Sequence, residues 1–110
     1  MLRLVADGHT LGVSCVNVAE VEAGLRQRER KAAETLLGRF RFLPTAREAA
    51  QRAGRYQAEW ARKGHTLQTP DALVAGTARA HGAVLVTHNV DDFPMPDLRV
   101  EHPVSVSGER

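Results

Sequence analysis

The sequence predicts an α/β fold, a parallel sheet with helices on its faces, and three observations lead there. Short apolar runs recur at residues 11–16, 40–43, 83–87 and 98–100, mostly with β-branched members. Between them lie segments with apolar or small residues at helical spacing, above all 45–63 and 69–80. Strands separated by helices of that length are joined by crossovers, which make parallel pairs.

In chain order, Met1-Leu2-Arg3-Leu4-Val5-Ala6 reads as the end of a helix closed by Asp7-Gly8. Leu11 to Val16 is a buried strand, after which Asn17 offers a helix N-cap and Val18, Val21 and Leu25 continue at helical spacing. Residues 30–39 form a short helix ending at Gly38, and Phe40 to Leu43 a short strand before Pro44. Thr45 and Glu48 have capping-box spacing and open a helix to about Lys63, with Ala46, Ala49, Ala53, Tyr56 or Gln57, and Trp60 as its apolar stripe and Gly64 as its stop. Thr69 as N-cap, Pro70 in the first turn and Asp71 just inside begin a helix rich in small residues, ended by Gly82. Ala83 to Thr87 and Leu98 to Val100 are the last strands. Residues 1–104 form one domain, and 105–110 have the composition of a loose tail.

A chain of 110 residues favours one domain. Its 43% hydrophobic and 25% charged residues are ordinary globular usage and exclude disorder, while 5% aromatics and abundant alanine imply a modest core that a partner or second copy would complete. A net charge of +2 does not by itself point to nucleic acid. Arg26, Arg28, Arg30, Lys31, Arg39 and Arg41, with only Glu29 and Glu34 among them, read equally as phosphate contacts or as a solvated face with internal ion pairs. One cysteine, Cys15, excludes an internal disulfide, fits a reducing compartment and reads as a buried structural thiol. No apolar run has membrane-spanning length and the N-terminus lacks a signal-peptide pattern, so a cytoplasmic protein is expected.

A parallel sheet gathers its chemistry at the carboxyl ends of its strands. Glu20 follows the first such end, Asp91 and Asp92 follow the strand ending at Thr87, and Asp71 begins a helix that can return to the same place. Converging carboxylates repel, and a hard cation, Mg²⁺ or Mn²⁺, relieves that repulsion. Each acid also has a structural alternative. Glu20 is three residues beyond Asn17 and can complete a capping box, Asn89 and Asp92 repeat that spacing, and Asp71 suits a helix first turn by about 0.3–1 kcal/mol. No histidine pair has zinc-ligand spacing, and the dispersed glycines make no phosphate-binding loop. Trp60 reads as a core anchor.

The order of three segments adds to this. Val13-Ser14-Cys15-Val16-Asn17-Val18-Ala19-Glu20-Val21-Glu22-Ala23-Gly24-Leu25 resembles the second acidic motif of VapC-type PIN domains, Thr69-Pro70-Asp71-Ala72-Leu73-Val74-Ala75-Gly76-Thr77-Ala78 the third, and Leu85-Val86-Thr87-His88-Asn89-Val90-Asp91-Asp92-Phe93 the fourth. The resemblance covers nearly the whole chain and implies a PIN-like parallel sheet flanked by helices. It implies a Mg²⁺- or Mn²⁺-dependent single-strand endoribonuclease, the toxin of a type II toxin–antitoxin pair. Glu20, Asp71 and Asp92 would be metal ligands, Asn89 or Asp91 would help complete the site, and Thr87 would orient a ligand or the attacking water. Partners implied are RNA, a VapB-type antitoxin and a second copy in a homodimer. Arg62, Lys63 and the basic residues of 26–41 would be RNA backbone contacts.

The chain departs from the family in two places. The family opens with a central strand and an aspartate, and here only sixteen residues precede Asn17, so that strand and acid are expected to be missing and the fold N-terminally truncated. Its loss would expose the neighbouring strands. Asn89 also stands where an acid is frequent. The alternative function is a non-catalytic PIN domain that binds an antitoxin or a paralogous toxin, or, outside the family, an interaction domain whose acids only cap helices.

Overall fold

The structure, a computed structural model, describes residues 4–7 and 10–103. The strands are β1 (Leu4–Asp7), β2 (Thr10–Ser14), β3 (Arg41–Leu43), β4 (Val84–Val86) and β5 (Val100–Glu101), and the α-helices are α1 (Cys15–Gly24), α2 (Arg30–Leu37), α3 (Arg47–Arg62) and α4 (Thr69–Ala80). Single 3-10 turns lie at Gln27–Glu29 and Val90–Asp92. The strands make one sheet in the order β3-β2-β1-β4-β5. β2 is parallel to β3 across the α1–α2 connection, and β4 is parallel to β5 across a loop that holds only the 3-10 turn at Val90–Asp92.

β1 corrects the expectation at the centre. Residues 4–6 are strand, not a helix end, and β1 runs antiparallel to both neighbours, with Val5 opposite Gly12 on one side and Leu85 on the other. The sheet is therefore mixed, and its central position is filled rather than open. Four residues are too few to nucleate a helix, whereas β2 and β4 each present main-chain groups that need partners. Because β1 runs in reverse, Asp7 pairs with Thr10 at the amino end of β2.

The remaining elements keep their expected order with shifted ends. The N-cap of α1 is Ser14, not Asn17: the Asn17 amide donates to Ser14 Oγ (3.4 Å), and Asn17 Oδ1 accepts from the Ser14 amide (2.9 Å) and hydroxyl (3.0 Å). Both side chains are fully buried. With the helix already begun at residue 15, Cys15 leaves the inward alternation of the strand and is exposed, its thiol 3.4 Å from Thr45 Oγ1. Thr45 does not cap α3, whose N-cap is Ala46; its hydroxyl lies 2.7 Å from that of Thr77, which also donates to the Leu73 carbonyl of α4 (2.7 Å). Gln68 precedes α4, so Thr69 is its first residue, accepting from Gln57 Nε2 (3.1 Å). Gly64 ends α3 with φ +83°, the left-handed value expected of a helix-stopping glycine.

The core lies between the sheet and the α3–α4 pair. Leu43, Tyr56, Leu67, Val74, Leu85, Phe93, Met95 and Leu98 are buried in one cluster, with Trp60 partly buried against it and the Lys63 ammonium 4.3 Å above the indole centroid. Alanines 49 and 53 of α3 meet alanines 72, 75 and 78 of α4 at buried positions, which lets the two backbones approach closely. The segment after the 3-10 turn is tied down by Asp97, which accepts from the Tyr56 hydroxyl (3.0 Å) and pairs with Arg52 and Arg79 (3.6 Å each). The tail expected at 105–110 lies outside the described residues.

Candidate active site at the carboxyl edge of the sheet

β2 ends at Ser14 and passes directly into α1, while α4 runs back to β4 and so begins at the carboxyl edge of β4. Those two helices are in contact, α1 carrying Glu20 and α4 carrying Asp71 in its first turn. Glu20 is exposed and lies past the middle of α1. The Ser14–Asn17 pair already completes the capping box, so Glu20 is no part of it and the structural alternative raised for that acid falls away. Asp71 is half-buried at the third position of α4, where the helix dipole favours its charge by about 0.3–1 kcal/mol.

The third segment is arranged differently from the expectation. Thr87 is buried, 1% exposed, and its Oγ1 accepts from the Asn89 amide (3.1 Å), so it cannot touch a solvent-borne water or substrate directly. It fixes the turn that follows. Asn89 makes no side-chain cap; its carbonyl accepts from the Asp92 amide (3.0 Å), and Asp91 and Asp92 stand exposed on the 3-10 turn. Among the described residues, no three His, Cys, Asp or Glu side chains gather closely enough to hold a metal ion. The expected ligand set Glu20, Asp71 and Asp92 forms no such group, and Asp92 stands exposed on the 3-10 turn. Two carboxylates on packed helices suit a hard divalent cation in donor chemistry but fall short of it in number.

Asp7, read from the sequence as closing a helix, is on a strand whose reversed direction puts its main chain at the opposite end of the sheet. The basic run is likewise spread out. Arg30 pairs with Glu22, and Arg39 and Arg41 stand at the amino end of β3, away from the carboxyl edge. Lys63 pairs with Glu59 (3.5 Å) as well as lying over Trp60. Sequence reasoning missed Ser14 and Thr77 as buried polar residues beside the site. The Ser-x-x-Asn spacing was the available signal for the first, and nothing local marked the second.

Residues 2–95 match the PIN domain family, and the chain belongs to it. It is similar to the protein of Mycobacterium tuberculosis named ribonuclease VapC10, with 35% identity over 100 residues that span 91% of this chain and 74% of the relative. The fold superposes on DNA-bound VapBC from Salmonella typhimurium with a TM-score of 0.72 and 30% identity, covering 82% of this chain and 73% of that one. It also superposes on VapBC2 from Rickettsia felis bound to a promoter DNA fragment, with a TM-score of 0.74 and 26% identity over 84% of this chain and 74% of that one. No described helix is long and apolar enough to cross a membrane.

Proposed function

We propose that this chain is a toxin ribonuclease of the VapC type, a cytoplasmic protein that cuts single-stranded RNA with help from Mg²⁺ or Mn²⁺. The observation that carries the reading is the match of residues 2–95 to the PIN family, in a fold where α1, which bears Glu20, contacts α4, which bears Asp71. When bound, the divalent ion supplies Lewis acidity toward water and toward the scissile phosphate. Glu20 and Asp71 would hold that ion. Asp92, with Asn89 and Asp91, would line the outer side of the RNA path, and Thr87 would set their positions through its bond to the Asn89 amide. Arg62 is a candidate contact for the RNA backbone.

The toxin reading also implies a VapB-type antitoxin, and it is supported by the likeness to VapC in structures described as VapBC complexes. A homodimer is proposed with it. A second reading, a non-catalytic PIN domain that binds an antitoxin or a paralogous toxin, is favoured by one observation: no three ligand-bearing side chains gather among the described residues. A labelled single-stranded RNA separates the two. Slow cleavage that needs Mg²⁺, stops with excess chelator and disappears in Glu20→Gln and Asp71→Asn supports the ribonuclease. Absence of cleavage, or cleavage that survives both substitutions, supports the second reading.

A further inference from the structure

The feature left over by the site is the outer edge of β3. This strand has β2 as its single strand neighbour, and it is one end of the sheet. Within it Leu43 is buried, whereas Arg41 is exposed and Phe42 is 51% exposed. One tight turn earlier, Leu36 of α2 is 55% exposed, and α2 contains no buried residue. These are the large hydrophobic side chains exposed among the described residues. Around them, Arg28, Lys31, Arg39 and Arg41 are exposed, and residues 26–41 hold six basic against two acidic side chains.

We propose that the β3 edge is a docking surface for an acidic segment of a partner protein, taken up in extended form as a sixth strand with apolar side chains against Phe42 and Leu36. Alternate residues of a strand turn their N–H and C=O groups to opposite sides, so an edge strand offers main-chain pairing to an added chain. Charge selects the occupant. A second copy of this chain would bring its own Arg39 against the same arginine, whereas glutamates or aspartates would complement it. RNA matches the charge but cannot pair with the main chain of an edge strand. The inference goes beyond the ribonuclease reading and does not depend on RNA cleavage.

The test uses the full chain and fluorescein-labelled peptides of alternating valine and glutamate, or valine and lysine, followed by anisotropy. The acidic peptide should bind on the order of tenfold tighter than the basic one and weaken with added salt. Methylating alternate peptide amides should abolish binding, which distinguishes strand pairing from simple charge attraction. Phe42→Glu and Leu36→Glu should each weaken it by a similar factor; the second lies on a helix without buried residues, so it is expected to fold. Failure of the parent chain to bind, equal binding of both peptides, or indifference to both substitutions in folded proteins would overturn the proposal. So would a dimer that Phe42→Glu dissociates, which assigns the edge to a second copy, or displacement of the peptide by single-stranded RNA, which assigns it to nucleic acid.

Discussion

A methyl group added to Gly76 of α4 would stand 2.3 Å from the carbonyl oxygen of Ala49 in α3, closer than a carbon can approach it. The same methyl would lie 3.1 Å from the Ala53 amide nitrogen, so the obstacle is backbone that has no rotamer with which to move aside. The α3–α4 contact positions Asp71 and supports one wall of the core, and its closeness depends on this one missing side chain.

Gly76→Ala should therefore destabilise the protein by about 1–3 kcal/mol through overpacking, despite alanine's better helix propensity. Gly54 of α3 is the internal control, since a methyl there meets nothing within 4 Å. Gly54→Ala should stabilise by roughly 0.5–1 kcal/mol. Urea denaturation of both variants measures the contrast, and equal effects of the same sign would contradict the packing.

Ser14→Ala should cost about 0.5–2 kcal/mol, because it removes the hydroxyl that accepts the Asn17 amide at the start of α1. Glu20→Gln should cost less than this, as Glu20 is outside the capping box. Thermal melts of the two variants settle which residue caps the helix. A larger loss for Glu20→Gln would return that acid to a structural role.

Burial, reinforced by the hydrogen bond to Asp97, pushes the Tyr56 hydroxyl up to about 12 from its usual 10, with Arg52 and Arg79 offsetting part of the shift. A pKa raised on folding favours the protonated hydroxyl in the native state. The stability it contributes is complete below pH 10 and is lost as the pH rises from 10 through about 12. Tyr56→Phe should flatten the pH dependence of stability across that alkaline window. At neutral pH it should cost on the order of 1–2 kcal/mol, since the Asp97 carboxylate loses its phenolic donor. An unchanged alkaline profile would show that the Tyr56–Asp97 bond does not persist in solution.

The long elements were legible because their signals are redundant. In α3, Ala49, Ala53, Tyr56 and Trp60 repeat at helical spacing and Gly64 ends the run, so an error in the cap, Thr45 for Ala46, moves the boundary by one residue without losing the helix. β1 was not legible. Leu-Val-Ala-Asp suits a helix end or a strand equally, and its state is decided by pairing with β2, which follows it directly, and with β4, which is far along the chain. The same limit applies to Cys15 and Thr45. Their local patterns suggested burial and a cap, but the helix start at residue 15 and the competing hydroxyl of Thr77 determine where they point. For the site, the order of acids along the chain pointed to Glu20 and Asp71 as candidates. The bond between the Asn89 amide and the Thr87 hydroxyl, at the start of the turn at Val90–Asp92, is not revealed by spacing alone.

That Glu20 and Asp71 hold one metal ion between them is the central proposal, and Mn²⁺ titration by calorimetry tests it most directly, using the parent chain, Glu20→Gln, Asp71→Asn, the double variant and Asp7→Asn. If the two carboxylates share one ion, each single substitution should weaken binding by about tenfold or more, and the double should lose much less than the sum of the two. Asp7→Asn should bind as the parent does, because β1 carries that residue to the other end of the sheet. Equal affinity in all five proteins, or strictly additive losses from Glu20 and Asp71, would contradict a shared site.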